Sequence, residues 1–194
     1  MIKLGITGGI GSGKTTVCRI LEVLGIPVYY ADDRAKQLYL EDAGVMQAVK
    51  QLFGDDIYHH GELKRAEVAK RVFSDKQLLQ KLNAIVHPAV EKDFAEWAAK
   101  YSDKAFVVKE AAILFENEGY KKLDLNVLVT APEKLRIKRV VKRDGISEEQ
   151  VKDRIKNQWP DEKKIPLADF VIKCDEEHLV IPQVMDVIDK IKVL

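Results

Sequence analysis

The segment GITGGIGSGKTT, from Gly5 to Thr16, decides the fold of this 194-residue chain. It follows a short apolar run and precedes a segment with helical spacing. Gly8, Gly13, Lys14 and Thr15 match the pattern G-x-x-x-x-G-K-[ST], a glycine-rich loop that joins a strand to a helix and holds phosphate groups. The alternative is a chance match in a glycine-rich turn, but the four fixed positions and the strand–helix context favour a phosphate loop.

The composition of this loop follows from the chemistry of binding a nucleoside triphosphate. Backbone N–H groups must converge on phosphate oxygens, so side chains in the loop would collide with the ligand and positive φ angles are often needed. A helix predicted over residues 14–24 adds the positive end of its dipole. We expect Lys14 to reach the β- and γ-phosphates and the Thr15 hydroxyl to hold Mg²⁺. The residues predicted to contact the nucleotide are Gly9, Gly11, Ser12, Gly13, Lys14, Thr15 and Thr16, of which Thr16 is equally well a plain first-turn helix residue.

Composition excludes several classes of protein. The chain has 32 basic and 31 acidic residues, a net charge of +1, which gives no drive toward nucleic acid or an acidic membrane. No apolar run approaches the roughly 20 residues that span a bilayer, and the N-terminus lacks a signal-peptide pattern. Cys18 and Cys174 have no neighbouring cysteine, so we predict two reduced, buried thiols in a cytoplasmic protein, with a disulfide as the alternative.

Short apolar runs alternate with helical patterns, which predicts an α/β protein with a five-stranded, mostly parallel sheet. The predicted strands are residues 2–7, 27–30, 105–110, 125–130 and 169–173. Residues 38–101 show only helical spacing and loops, which indicates a helical subdomain between the second and third strands. Pro88 should kink this subdomain's long helix or begin a new one. Capping boxes are predicted for Ser74 with Gln77, Thr130 with Glu133, and Ser147 with Gln150.

Two carboxylates, Asp32 and Asp33, follow the second strand, and ligands bind at the carboxyl end of such strands. One of them could accept a proton from an alcohol that attacks the γ-phosphate. The alternative is that either residue only caps the next helix. A GTPase would carry Asn-Lys-x-Asp and a motor ATPase consecutive acids at a strand end, whereas here Glu110 ends its strand alone. A kinase is therefore favoured.

Arg136, Arg139 and Arg143 are three and four residues apart, which places them on one face of a predicted helix, and Arg154 follows in the next helix. Guanidinium groups in such a position are typical of a lid that closes over phosphates and excludes water. The alternative is a solvated charged face.

Several segments together resemble the dephospho-CoA kinase family. They are LGITGGIGSGKTTV at the start, LGIPVYYADDRAK at the second strand, LNAIVHPAV, ILFE, RIKRVVKRDGISEEQVKDRIKNQ and ADFVIKCD. The resemblance runs from Leu4 to about Asp175. It implies a P-loop kinase of three layers, with a core of residues 1–37, 102–131 and 166–194, a helical substrate subdomain over 38–101 and a lid over 132–160. The implied reaction is ATP- and Mg²⁺-dependent phosphorylation of the 3′-hydroxyl of dephospho-CoA, the last step of coenzyme A biosynthesis.

The resemblance also implies residue roles. Asp32 is the catalytic base, and Arg139 and Arg143 in the lid contact phosphates or adenine. We expect Arg139, like Lys14 of the phosphate loop, to stabilise charge on the transferred phosphoryl group. The substrate side of the cleft includes Arg65, Asn83 and His87, although His87 is also explained as a residue that satisfies a helix junction.

The chain departs from the family pattern in two places: Tyr30 replaces an Asp, and Ala112-Ile113-Leu114 replaces Pro-Leu-Leu. Glu116 is either part of the site or a salt-bridge partner. We expect a monomer or weak homo-oligomer that binds neither nucleic acid nor membrane. Alternatives are a kinase of another alcohol or nucleotide, and an ATP-binding regulatory module without transferase activity.

Overall fold

The computed structural model describes residues 1–193. The strands are β1 (Ile2–Thr7), β2 (Val28–Tyr30), β3 (Tyr58–His59), β4 (Glu62–Leu63), β5 (Phe106–Glu110), β6 (Leu125–Thr130) and β7 (Phe170–Lys173). The α-helices are α1 (Lys14–Val23), α2 (Ala31–Glu41), α3 (Ala43–Phe53), α4 (Arg65–Ser74), α5 (Lys76–Ala99), α6 (Glu133–Asp144), α7 (Glu148–Lys156), α8 (Asp161–Lys164) and α9 (Val180–Lys192).

Five parallel strands form the main sheet in the order β2-β5-β1-β6-β7. The central strand β1 pairs with β5 and β6, so that Leu4 lies opposite both Val108 and Leu125. The predicted parallel α/β sheet is confirmed, with strand ends within one residue of the expected positions. Because all five strands run the same way, the loop after β1 lies at the edge where every strand ends.

The main core lies between the sheet and the two helices α1 and α9. Apolar side chains such as Leu4, Ile6 and Val17 are almost completely buried there. Cys18 and Cys174 belong to this cluster, and both are free thiols, as the sequence predicts. Burial is the main cause that raises the pKa of the Cys18 thiol to about 12.

The chain divides into two compact units, one formed by Met1–Tyr30 and the chain from Tyr101 onward, the other by Ala31–Lys100. In the second unit α2, α3 and α4 each contact the long helix α5, and β3 pairs with β4 in a two-stranded hairpin. Residues 31–37, which were expected in the core, lie in this helical unit.

Helix α5 contains Pro88 and continues through it to Ala99, so of the two alternatives for this proline, a kink or a new helix, the new helix is wrong. A proline removes one hydrogen bond from a helix, and the buried neighbours Val86 and Val90 compensate by packing. Of the predicted capping boxes, Ser147 with Gln150 is confirmed.

The other two capping predictions are wrong. Asp75, one residue after Ser74, caps α5 by accepting hydrogen bonds from two backbone N–H groups. Helix α6 follows Pro132 and has no side-chain cap. Within residues 1–193, no helix has the length and apolar character needed to cross a bilayer.

Candidate active site

The loop between β1 and α1 is a cradle of backbone donors. The N–H of Ser12 bonds the carbonyl of Gly9 at 3.0 Å, and that of Thr16 bonds the carbonyl of Gly13 at 2.9 Å. The N–H groups of Gly11, Gly13 and Thr15 have no acceptor anywhere in residues 1–193. Such donors at a helix N-terminus form a binding site for an anion, and a phosphate group supplies the missing acceptors.

Two glycines of this loop adopt conformations that only glycine takes easily. Gly11 has φ 77° and Gly13 has φ 106°. A Cβ on Gly11 would lie 2.6 Å from the carbonyl oxygen of Arg136, and one on Gly13 would lie 3.0 Å from the sulfur of Cys174. Neighbouring protein atoms therefore require glycine at both positions.

The side chain of Lys14 folds back over the loop. Its Nζ donates to the carbonyl oxygen of Gly8 at 2.9 Å and lies 3.8 Å from Oε1 of Glu110. Both charged side chains are mostly buried, with exposed fractions of 11% and 12%. The ammonium group is thus held at the cradle, where it can neutralise an entering phosphate.

The hydroxyl residues of the loop differ in exposure. Ser12 is buried, and its Oγ has no hydrogen-bond partner in the described chain. Thr15 and Thr16 are exposed in the first turn of α1. The Thr15 hydroxyl is therefore accessible to a metal ion or to a ligand.

The three arginines of α6 have different partners. Arg136 is 7% exposed, and its Nε donates to the carbonyl oxygen of Ile10 at 3.0 Å. Arg139 lies 3.5 Å from Glu176, and its Nη1 is buried without a hydrogen-bond partner in the described residues. Arg143 is largely exposed and makes two hydrogen bonds to Asp144, at 2.6 and 3.1 Å.

Asp144 joins the end of α6 to α7. It accepts from Arg143 and also from Arg154 at 3.1 Å. These hydrogen bonds, that of Arg143 first, hold the pKa of the Asp144 carboxyl below its usual value. Two of the predicted lid arginines are therefore occupied by one carboxylate.

A largely buried charged pair joins α8 to the segment that follows β5. Nζ of Lys164, whose side chain is fully buried, is 3.0 Å from Oε1 of Glu116, close enough for an ion pair but without hydrogen-bond alignment. The same Oε1 accepts the N–H of Trp159 at 3.1 Å, so Glu116 is indeed a salt-bridge partner. Burial raises the pKa of the nearby Asp161 carboxyl, and Arg136 and Lys164 partly oppose that shift.

The predicted base and substrate residues all lie in the second unit. Asp32 is the second residue of α2 and is exposed. It therefore lies inside the helix and does not occupy the N-cap position. Asn83 and His87 are half-buried and one turn apart on α5, hence on one face. Arg65 begins α4 and donates to the carbonyl oxygen of Lys36 at 3.0 Å.

Helix α2, which carries Asp32, is fixed within its unit by a bidentate ion pair. Arg34 donates from Nε and Nη2 to the two oxygens of Asp93 on α5, at 3.0 and 2.7 Å. Paired hydrogen bonds of this kind set the orientation of both partners. The first turn of α2 is therefore anchored to α5 two residues after Asp32.

Comparison with known proteins agrees with this arrangement. Residues 2–179 match the protein family described as CoaE, dephospho-CoA kinase. A dephospho-CoA kinase of Porphyromonas gingivalis is 41% identical over 193 residues, which cover 99% of this chain and 95% of that protein. The chain belongs to the dephospho-CoA kinase family.

Two solved structures are similar over nearly the whole chain. A Thermus thermophilus protein is 32% identical with a TM-score of 0.85, covering 99% of this chain and 96% of its own. A dephospho-CoA kinase from Campylobacter jejuni is 25% identical with a TM-score of 0.71, covering 97% and 96%. Membership in this family makes the chain a kinase of coenzyme A biosynthesis that uses ATP, on a P-loop kinase fold.

Tyr30 stands where the dephospho-CoA kinase pattern has an Asp. Its ring packs against the main core. Burial, together with the nearby Cys18, Glu22 and Glu110, raises the pKa of the phenol well above its usual value. The substitution thus replaces a charged side chain by a neutral one that supports the core.

Sequence reasoning missed the role of two residues next to the loop. Gln158 accepts the N–H of Ile10 at 2.8 Å, and Arg136 bonds the carbonyl of the same residue. The sequence contained one signal for Gln158, because this residue ends the segment RIKNQ of the lid motif that resembles the family. Spacing grouped Arg136 with Arg139 and Arg143, which are more exposed, because a helical pattern does not reveal burial.

Proposed function

We propose that this kinase transfers the γ-phosphoryl group of ATP to the 3′-hydroxyl of dephospho-CoA, with the triphosphate held by the loop of residues 8–16. One observation carries the assignment of the loop: the N–H groups of Gly11, Gly13 and Thr15 lack protein acceptors among the described residues. Unpaired backbone donors in the loop and the first turn of α1 suit the oxygens of a phosphate chain.

Lys14 supplies the positive charge that the developing transition state needs. Its Nζ already lies at the loop, bonded to Gly8 and near Glu110. On binding, the γ-phosphate replaces these neighbours as the stronger partner, since it carries more negative charge. Arg139, whose Nη1 lacks a partner in the described chain, adds a second cation.

Thr15 would hold Mg²⁺ through its hydroxyl, and the exposure of this residue supports that role. A hard cation with oxygen ligands fits a site that combines a hydroxyl with phosphate oxygens, and when bound it neutralises phosphate charge. Arg143 contacts the nucleotide only after it leaves Asp144, its partner in this structure.

Asp32 accepts the proton of the 3′-hydroxyl as the hydroxyl oxygen attacks phosphorus. Its carboxylate is exposed at the start of α2, and the Arg34–Asp93 pair fixes that turn. Arg65, Asn83 and His87 bind the coenzyme A portion of the substrate. The buried thiols of Cys18 and Cys174 fit a cytoplasmic enzyme, for which we propose a monomer or weak homo-oligomer.

A coupled assay of ADP release, with and without dephospho-CoA, tests the proposal. We expect rapid release only with dephospho-CoA and Mg²⁺, and a product phosphorylated on the 3′-hydroxyl. Turnover with another alcohol at lower KM would reassign the acceptor. Tight ATP binding without any phosphorylated product would replace the enzyme by a nucleotide-binding regulatory module.

A further inference from the structure

Ile10 in the phosphate loop is held on three sides by the α6–α8 segment. Its side chain packs against the small apolar cluster of Ile137, Val140 and Val151. Its N–H donates to Oε1 of Gln158 at 2.8 Å, and its carbonyl accepts from Nε of Arg136 at 3.0 Å. One residue thus receives a packing contact and two hydrogen bonds from the predicted lid region.

These contacts fix two consecutive peptide groups. In the peptide between Gly9 and Ile10, the Ile10 N–H bonds Gln158 and the Gly9 carbonyl accepts the N–H of Ser12 at 3.0 Å. In the peptide between Ile10 and Gly11, the carbonyl accepts from Arg136. The fourth polar group, the Gly11 N–H, is the one without an acceptor in residues 1–193.

The direction of the Gly11 N–H follows from the planarity of the peptide. In a trans peptide the carbonyl and the N–H point in opposite directions, so the bond from Arg136 to the Ile10 carbonyl turns the Gly11 N–H away from Arg136. Hydrogen bonding at the carbonyl also polarises the peptide and strengthens its N–H as a donor. The guanidinium lies so close to Gly9 that a Cβ there would be 2.5 Å from Cζ, which leaves the peptide little room to turn.

Gln158 is itself held in place. Its Nε2 lies 3.5 Å from the carbonyl oxygen of Ala112, and the next residue, Trp159, donates its N–H to Glu116. Glu116 is paired with the buried Lys164. The acceptor for Ile10 therefore sits on a segment that is tied to the protein interior.

We infer that Arg136 and Gln158 are positioning residues for phosphoryl transfer, which orient the peptides around Ile10 so that the Gly11 N–H donates to the triphosphate. The inference rests on the proposed role of the loop of residues 8–16. Neither residue contacts the phosphate itself in this scheme. They act by orienting the Gly11 N–H toward the triphosphate. Because the triphosphate is charged, a poorly aligned hydrogen bond to it loses more binding energy than one to a neutral acceptor.

Gln158→Met and Arg136→Lys test the inference, because Met removes the acceptor without changing charge and Lys keeps the charge beside Asp161. We expect each to lower kcat/KM for ATP about tenfold or more, with KM for dephospho-CoA within about twofold of wild type. In ¹⁵N-glycine-labelled protein, the downfield shift of the Gly11 amide proton on ADP binding should shrink in both variants. A purely structural role would not move that resonance selectively.

Gln183→Met is the matched control. Gln183 also accepts a backbone N–H at 2.8 Å, from Lys173, but at the start of α9 and not at the phosphate loop. The Gln183→Met variant should have wild-type kinetics with ATP and a wild-type shift of the Gly11 amide proton on ADP binding. If Arg136→Lys does not fold, the Gln158→Met variant alone tests the positioning role. This variant should fold because it places no new charge in the protein.

The inference is overturned if Gln158→Met retains kcat/KM for ATP within about twofold and the full Gly11 response. It is also overturned if Gln183→Met has an equal effect. Lys14→Met separates the two levels of the argument. If Lys14→Met is inactive while Gln158→Met is normal, only the positioning role fails, whereas a fully active Lys14→Met removes the loop from the mechanism.

Discussion

Nζ of Lys14 lies 3.8 Å from Oε1 of Glu110, so the cation of the phosphate loop rests beside the carboxylate that ends the neighbouring strand β5. Both side chains are largely withdrawn from solvent. A charge held in such a place interacts more strongly than one in water. The pair keeps Lys14 at the loop before any nucleotide arrives.

Replacing Lys14 by methionine should lower kcat/KM for ATP about 10²-fold or more, because the transferred phosphoryl group loses a preorganised positive charge. Steady-state kinetics with ADP detection measures the effect. Lys152→Met is the control, since Lys152 makes only an exposed pair with Glu148 at 3.9 Å. Equal rates for wild type and Lys14→Met would contradict the assignment.

Asp32→Asn should reduce kcat about 10²-fold while KM for ATP changes little, because the amide cannot accept the proton of the alcohol. Asp33→Asn is a close control, as Asp33 lies in the same turn and pairs with Lys36 at 2.7 Å on the exposed surface. We expect this second variant to keep most of its turnover. If the outcomes are reversed, Asp33 is the base.

Gly11 and Gly25 form a natural comparison because both have φ 77°. A Cβ on Gly25 meets no atom within 4 Å, whereas one on Gly11 lies 2.6 Å from the Arg136 carbonyl oxygen. Gly25→Ala should therefore cost only the left-handed backbone strain, about 1–2 kcal/mol. Gly11→Ala should cost more and also raise KM for ATP. Urea unfolding and kinetics measure both, and equal unfolding free energies would show that the clash relaxes freely.

The pair of Lys164 and Glu116 should matter for stability more than surface pairs do. Lys164→Met leaves a buried carboxylate without its counter-ion and should lower the free energy of unfolding by about 3–5 kcal/mol. Adding Glu116→Gln should recover part of that loss, since residue 116 then carries no charge that needs a counter-ion. Lys190→Met, which breaks an exposed pair with Asp186 at 2.7 Å, should cost less than about 1 kcal/mol. A double variant as unstable as Lys164→Met would argue against a charge effect.

Strands and the phosphate loop could be predicted because their signals are local. The run of residues 125–130 coincides with β6, and the pattern ending in Lys14-Thr15 lies where strand meets helix. The prediction of a new helix at Pro88 failed because the packing of Val86 and Val90 outweighs the one hydrogen bond that the proline removes. Short strands such as β3 and β4, with two residues each, carry too little periodicity to detect.

The candidate site was predictable in part for the same reason. Glycines and hydroxyl residues of the loop follow a fixed pattern, whereas the bonds of Ile10 to Gln158 and Arg136 join residues 148 and 126 positions apart. Contacts over such separations depend on how the chain folds back, which spacing within one helix does not encode. The ion-pair partners of Arg143 and Glu116 could not be predicted from the sequence either, because helical spacing does not show which side chains meet in the fold.

The central place of β1 in the sheet has a consequence for synthesis of the protein. Its two hydrogen-bonding neighbours begin at Phe106 and Leu125, so β1 is synthesised long before either partner exists. Pairings between such distant segments are slow to form. During synthesis β1 should therefore stay incompletely paired, and open to chaperone binding, until β6 leaves the exit tunnel.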